Sequence, residues 1–312
     1  MRYFCFGLLL LVGCYRVPDK IEPQLCYAVE ERYLQKLPSA FSPLTSGEKS
    51  QEWGKEYLIG IAFAKELDLY RSITAFKRAQ ILLPDSDLNR KEEVSYNILL
   101  CYYLGKRYDD VIDYFETSNL ANVSTAFSAY HDLLLILYES YDAIGANEKA
   151  EQVLHLMEGV YPETAARLKT GNVMAHGDID QMKRLTCEAP QKEYLQAIVD
   201  CYELNKKSIA KAQTLNALLP GAGYLYVGQK QSAITALLLN GAFITAAYFF
   251  FKDGNIAAGL ITTSFEAGWY FGGIYGAGES AKLYNERLYE RIAATSMERE
   301  NLFPVLSLRY SF

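Results

Sequence analysis

The sequence predicts an all-α protein, a helical-repeat solenoid followed by a two-helix transmembrane hairpin. Three observations carry this. From about Ser50 to Glu203 the apolar residues recur at the helical period, not the strand period. Within that stretch, turn glycines and small residues suited to helix crossings return in successive helix pairs. Residues 232–251, SAITALLLNGAFITAAYFFF, then hold no formal charge over a length able to cross the hydrocarbon layer. A second apolar stretch follows after four polar residues. The expected layout is a signal segment at 1–14, a leader or linker at 15–47, repeats at 48–205, a membrane module at 206–292, and a tail with a short strand at 293–312.

The start, MRYFCFGLLLLVGC, has Arg2 as a short basic region and Phe4 to Val12 as a short apolar one. That run is too short to span a bilayer. Leu11-Val12-Gly13-Cys14 resembles the lipobox of bacterial lipoproteins, which implies that Cys14 becomes the acylated N-terminus. An ordinary signal sequence or an uncleaved anchor are the alternatives. Of the six cysteines, Cys5 leaves with the signal and Cys101 sits in an apolar run as a small core residue. Cys26, Cys187 and Cys201 remain, and Cys187 with Cys201 is the expected bridge if any forms in an exported chain. No CxxC pair is present, so no zinc site is expected.

Residues 15–47 read as a leader with a short helix, interrupted by Pro38 and Pro43. The clearest repeat runs from His131 to Thr164. Leu137 and Tyr141 lie on its first helix, Gly145 makes the turn, Ala150, Leu154 and Met157 lie on the second, and Pro162 closes it. An earlier unit, Trp53 to Asp85, places Gly60, Phe63, Ser72, Phe76, Ala79 and Pro84 at matching positions. A middle unit, Tyr96 to Glu116, offers Gly105, Tyr108, Val111 and Phe115, with one residue inserted between its helices. A degenerate pair occupies Ala165 to Glu203. This spacing resembles the tetratricopeptide repeat, with Tyr138 and Met157 as departures where that family prefers a small residue and alanine. The resemblance implies stacked helix pairs whose concave side takes a peptide or helix from a partner. Helix phase alone nominates Tyr57, Arg71, Asn97 and Lys106 for that groove.

The membrane module begins after Lys206 and Lys207. Ser208 to Leu219 is expected to be a helix that breaks near Pro220, which lacks an amide hydrogen. Gly221 and Gly223 permit unusual dihedrals, Tyr224 and Tyr226 suit headgroup depth, and Gly228 turns the chain. The spans are expected at about 232–251 and 256–278, with Gly254 left-handed in the turn between them. On the second span Ser264, Gly268, Gly272, Gly276 and Ser280 put a small residue at every fourth position, a ridge that lets helix backbones approach closely in lipid. Glu266 at mid-span costs about 2.5–3.5 kcal/mol to insert. It calls for a partner, and Asn240 on the first span lies at similar depth. A Glu266–Asn240 hydrogen bond is therefore expected, with a structural role. Pro220, Gly221, Gly223, Tyr226, Gly228, Glu266, Gly268, Trp269, Tyr270 and Gly276 resemble a family of uncharacterised bacterial membrane proteins with a Pro-Gly-x-Gly-x-x-Tyr-x-Gly entry. That resemblance covers about 70 residues of the chain. Tyr224 stands where that family usually has glutamine. The resemblance implies architecture, not chemistry.

Sidedness is in conflict. An exported lipoprotein places the repeats outside the cytoplasm. Yet Lys206, Lys207, Lys211 and Lys230 precede the hairpin and Lys282, Arg287 and Arg291 follow it, which favours cytoplasmic flanks. Long domains translocate with little regard to charge. The inner membrane with the repeats facing the periplasm is therefore the expected location, and the outer membrane is the alternative. In the closing VLSLRYSF, Leu306, Leu308, Tyr310 and Phe312 alternate as on one face of a strand. That resembles the final strand of outer-membrane barrels, but the helical chain before it cannot supply a barrel. An edge strand or a partner-pairing tail is expected.

A net charge of −6 lacks the basic footprint of nucleic-acid binding. No GxSxG, HExxH or P-loop pattern occurs, and His131, His155 and His176 are scattered. His131 and His155 are expected as surface or packing residues. Neither an enzyme, a cofactor nor a metal is expected. The expected partners are a protein or peptide in the repeat groove, the lipid bilayer, and a second copy through the glycine ridge. The leading expectation is a membrane-anchored interaction scaffold at the bacterial cell envelope. The alternatives are a small oligomeric channel or membrane-insertion factor with the repeats as docking domain, and an outer-membrane assembly factor using the C-terminal strand.

Overall fold

The computed structural model describes residues 17–25, 27, 36–188 and 193–312. The expected signal segment, Cys14 and Cys26 lie outside the described residues. Among the described residues the chain is helical and has no strand. The helices are α1 Ser46–Ser50, α2 Glu52–Lys65, α3 Leu69–Leu82, α4 Leu88–Leu104, α5 Tyr108–Thr117, α6 Tyr130–Ala143 and α7 Asn147–Val160. They continue with α8 Pro162–Ala175, α9 Ile179–Glu188, α10 Glu193–Asn205, α11 Ile209–Leu218, α12 Ala222–Val227, α13 Lys230–Lys252 and α14 Ile256–Arg299. The chain forms two compact units. One comprises Cys26–Asn172 with Met297–Phe312, the other Met1–Leu25 with Val173–Ser296. The closing segment thus belongs with the early helix pairs.

In the first unit, successive helices pack as antiparallel pairs, and the sequence shows why. Asp68 and Asp87 cap α3 and α4, their carboxylates accepting the N–H of Arg71 and Arg90. Each satisfies a donor that the first helical turn leaves free. The α2–α3 crossing is close because Gly60 has no side chain. A Cβ there would lie 2.6 Å from the Phe76 ring. Ser72 Oγ donates to the Gly60 carbonyl at 2.9 Å across the same crossing, and Phe76 and Ala79 are fully buried. Gly145, at φ +76°, reverses the chain between α6 and α7, where Ala150 and Met157 are buried. Pro162 opens α8, a position where its missing N–H costs nothing.

In the second unit, the Pro220 break is a structured turn. Gly221 and Gly228 bracket α12 at φ +95° and +91°, conformations that glycine adopts without strain. Asn216 Oδ1 accepts the Gly221 N–H at 2.8 Å. Gly223 lets α12 nest against its neighbours: a Cβ there would sit 2.3 Å from the Ala212 carbonyl oxygen and 2.8 Å from the Ala277 Cβ. Tyr226 accepts the Ser208 N–H at 3.2 Å, and its ring lies 5.0 Å from both Lys207 Nζ and Lys211 Nζ. Asn285 on α14 clamps the chain entering α11, accepting the Lys207 N–H at 2.7 Å and donating to the Lys207 carbonyl at 2.9 Å. The leader residues 17–25 form no regular element, and residues 22–24 lie along α14. Glu286 and Glu290, one turn apart, accept the N–H of Glu22 and Gln24.

Four expectations are corrected. First, among the described residues one helix, Lys230–Lys252, is long and apolar enough to cross a membrane. The expected second span is the first half of the 44-residue α14, where Glu266, the Thr-Thr-Ser run and several glycines dilute the apolar character. The chain does turn at Gly254, φ +76°. Second, Glu266 and Asn240 do not bond to each other. Asn240 Nδ2 donates instead to the Ala236 carbonyl one turn back, at 2.6 Å, and Asn240 Oδ1 and Glu266 Oε2 have no partner. Third, Cys187 and Cys201 are free and exposed, on neighbouring helices instead of in a bridge. Fourth, the tail forms no strand. Pro304–Ser307 is a short 3-10 helix, and no regular element follows.

Candidate functional site

The tail's departure from a strand has a specific cause. Helix α6 reads YHDLLLILYESYDA, and its Asp132 is fully buried. A buried carboxylate is tolerated only where donors surround it. Three donors do. Asp132 Oδ1 lies 2.6 Å from His131 Nδ1. The backbone N–H groups of Arg309 and Tyr310 donate to Asp132 Oδ2 at 3.0 and 2.9 Å. In a flat strand, consecutive N–H groups point to opposite edges. Here two consecutive ones converge on a single carboxylate, as in anion-binding backbone nests. That convergence overrides the alternating side-chain pattern.

The rest of the tail is held on both sides of this point. Leu302 packs where Gly171 of α8 has no side chain, since a Cβ there would lie 2.4 Å from the Leu302 carbonyl oxygen. Leu302 and Leu308 are buried, and Phe303 lies 5.4 Å from the Tyr27 ring. The Arg309 guanidinium sits 5.2 Å over the Tyr161 ring, a favourable cation–π contact. The Ser311 N–H donates to the Pro38 carbonyl at 2.9 Å. Phe312 stacks on Phe76 at 6.5 Å between centroids. The helix pairs thus hold an irregular peptide segment by main-chain bonds at the centre and apolar side chains at each end.

His131 fixes Asp132 from behind. Its Nε2 lies 3.0 Å from Thr164 Oγ1, and its ring meets Tyr161 edge-on at 4.8 Å. Thr164, His131 and Asp132 line up as hydroxyl, imidazole and carboxylate. Thr164 is 1 % exposed, so the arrangement orients the acceptor for the tail. Among the described residues no cluster of three or more His, Cys, Asp or Glu side chains is placed to hold a metal.

Of the groove residues nominated by helix phase, the structure brings two together. Asn97 Nδ2 donates to the Tyr57 hydroxyl at 3.3 Å, and that hydroxyl donates to Glu93. Burial, with the Glu93 charge next, pushes the Tyr57 hydroxyl up from its ordinary value. Glu93 in turn pairs with Arg90. Arg90 also pairs with Glu48 at 2.8 Å, and that bond, with those from Thr45, holds the Glu48 carboxyl down at about 2. The Tyr57 ring lies 5.7 Å from Phe76, the residue on which Phe312 stacks. Arg71 is elsewhere, ion-paired with Asp68 at 2.6 Å and lying over Phe63. Lys106 is exposed at a helix turn, with φ +55°. Asp132, the residue that decides the tail's path, escaped helix-phase reasoning. Its one sequence signal is a His-Asp pair immediately before the apolar run Leu133–Leu137.

The glycine ridge on α14 divides. The Gly276 position is closed by Tyr224, whose hydroxyl lies 2.4 Å from where a Cβ would stand, and Gly273 and Gly278 face Asn216 and Gln213. Gly268 and Gly272 face open space. Ser264 Oγ donates to the Leu260 carbonyl at 2.9 Å, and Ser280 Oγ lies 3.4 Å from Gln229 Oε1. Tyr270 donates to the Ala217 carbonyl. Tyr224 and Tyr226 both engage neighbouring helices of this unit.

No protein-family model matches the chain, and no curated protein and no solved structure is similar to it.

Proposed function

We propose that the chain is a membrane-anchored scaffold of tetratricopeptide-like helix pairs that binds a peptide segment of a partner protein at the bacterial cell envelope. The observation that carries this is the capture of the Arg309 and Tyr310 amides by Asp132. Main-chain bonds supply affinity without reading sequence, and flanking apolar contacts supply specificity. The chain's own tail occupies the site as a ligand in cis, so a partner segment of like form competes with it. Anchorage rests on α13, whose apolar stretch is only 11 % buried within the chain, with the first half of α14 returning to the same side, as the bonds between Asn285 and Lys207 require, and on acylation of Cys14. The inner membrane, with the helix pairs in the periplasm, accommodates both.

The test uses the chain lacking residues 308–312, in detergent micelles, with a fluorescent synthetic peptide of sequence VLSLRYSF. Saturable binding that Asp132→Asn abolishes supports the proposal. A truncated chain that keeps its helical spectrum yet leaves the peptide unbound at millimolar concentration overturns it.

A further inference from the structure

The membrane-helix unit contains a cleft of about 790 Å³ between α13 and the first half of α14, lined by Tyr224, Thr235, Asn240, Phe265 and Trp269 among others. Gly268 and Gly272 form part of its wall, and these are the two ridge glycines that no described residue covers. The volume lies in the range of small-molecule sites, which combine mostly apolar walls with a few placed polar groups.

One of those polar groups is unsatisfied. Asn240 is 4 % exposed and lines the cleft. Its amide N–H₂ is engaged with the Ala236 carbonyl, and its Oδ1 has no partner. An amide oxygen shut away from water without a donor is costly, and the cost is higher in hydrocarbon. Asn240 lies ten residues from Lys230 and twelve from Lys252 on α13, so at 1.5 Å per residue it is roughly 15 Å or more from either end. If α13 spans the bilayer, water does not reach that depth. A ligand that enters the cleft from the lipid and brings one O–H or N–H donor would relieve the orphaned acceptor once the Asn240 amide turns its oxygen toward the cleft, while its apolar body covers Trp269, Phe265 and the open glycines.

We infer that this cleft binds a lipid-soluble molecule with a hydrogen-bond donor, of the long-chain alcohol class, with the donor on Asn240 Oδ1. The inference uses the placement of α13 in lipid from the proposed function but none of the tail's chemistry. Trp269 is a built-in reporter, because the only other tryptophan, Trp53, is buried in the other unit. The full chain in phosphatidylcholine nanodiscs is titrated with 9,10-dibromooctadecan-1-ol, whose bromines quench tryptophan, and with its methyl ether, which has no donor. The Trp269→Phe chain supplies the background. The expected result is saturable quenching of the Trp269 signal by the alcohol, a linear response to the ether, and loss of saturation in Asn240→Leu. Equal linear quenching by both probes, or an Asn240→Leu response identical to the natural one, overturns the inference. Dibrominated phosphatidylcholine as bulk lipid separates the two ideas. If it leaves Trp269 unquenched, the placement in lipid fails, whereas the alcohol titration decides the site in either case.

Discussion

Asp132 Oδ2 accepts the backbone N–H of Tyr310 at 2.9 Å, although 178 residues separate the two in sequence. The same oxygen takes the Arg309 N–H, so one buried carboxylate fixes the end of the chain among helices that begin near residue 46. The helix pairs hold the chain's own tail in this way, with two amides on an anion and aromatic contacts beyond.

Replacing Asp132 by Asn removes the charge and turns an N–H₂ group toward donors. Hydrogen bonds to a buried charge contribute about 1.5–3 kcal/mol each, so Asp132→Asn is expected to destabilise the first unit by about 3 kcal/mol. Hydrogen exchange read by mass spectrometry checks it. The amides of residues 309–312 should exchange far faster than in the natural chain, and unchanged protection there would contradict the assignment.

Gly171→Ala tests the other end of the tail without touching charge. The added Cβ would stand 2.4 Å from the Leu302 carbonyl oxygen, and overpacking of this kind costs about 1–3 kcal/mol. Trypsin cleavage at Arg309 should accelerate as the segment lifts. A cleavage rate equal to that of the natural chain would show that the close approach does not hold the tail.

Glu139 predicts a pH dependence. Burial raises its carboxyl from the usual 4.5 to about 7, against the bond it accepts from Tyr103. The folded value lies above the unfolded one, so between about pH 4.5 and 7 the native chain keeps a proton that the unfolded chain has released. The contribution of this group to stability is therefore fully present below pH 4.5, falls as pH rises toward 7, and is level above. Glu139→Gln should flatten that slope. Melting temperatures of the two chains in detergent, taken from pH 4 to 8, should diverge as pH rises; parallel curves would refute it.

Leu238 lies near the middle of α13 and is 66 % exposed within the chain. If lipid covers it, Leu238→Lys costs about 3 kcal/mol on insertion scales. The variant should shift from the membrane pellet to the alkaline-extractable fraction. Retention equal to the natural chain would place that face against protein or water.

Much of the first unit was legible from local pattern. Gly60 with Phe76 and Gly145 with Ala150 mark where helices cross and turn, because those requirements fall on residues close in sequence. The Pro220–Gly228 turn was legible for the same reason. The pairing of Glu266 with Asn240 was not, because equal depth on two helices does not fix the direction of each side chain, and Asn240 bonded to its own helix instead. Matching depth also concealed how unevenly the ridge is covered, with Gly276 closed by Tyr224 and Gly268 open.

The sequence by itself determined that the described chain is helical, where several of its helix pairs turn, and that residues 232–251 lie in a helix able to cross a membrane. Those properties follow from periodicity, capping residues and apolar length within short windows. The tertiary structure decided where the tail goes, that Cys187 and Cys201 stay unbridged, and which polar atoms are left without partners. Each of these depends on groups brought together from distant parts of the chain. The alternating tail shows the difference most directly: its pattern favours a strand, but a buried anion on α6 offers two of its amides a stronger partner than any neighbouring strand could.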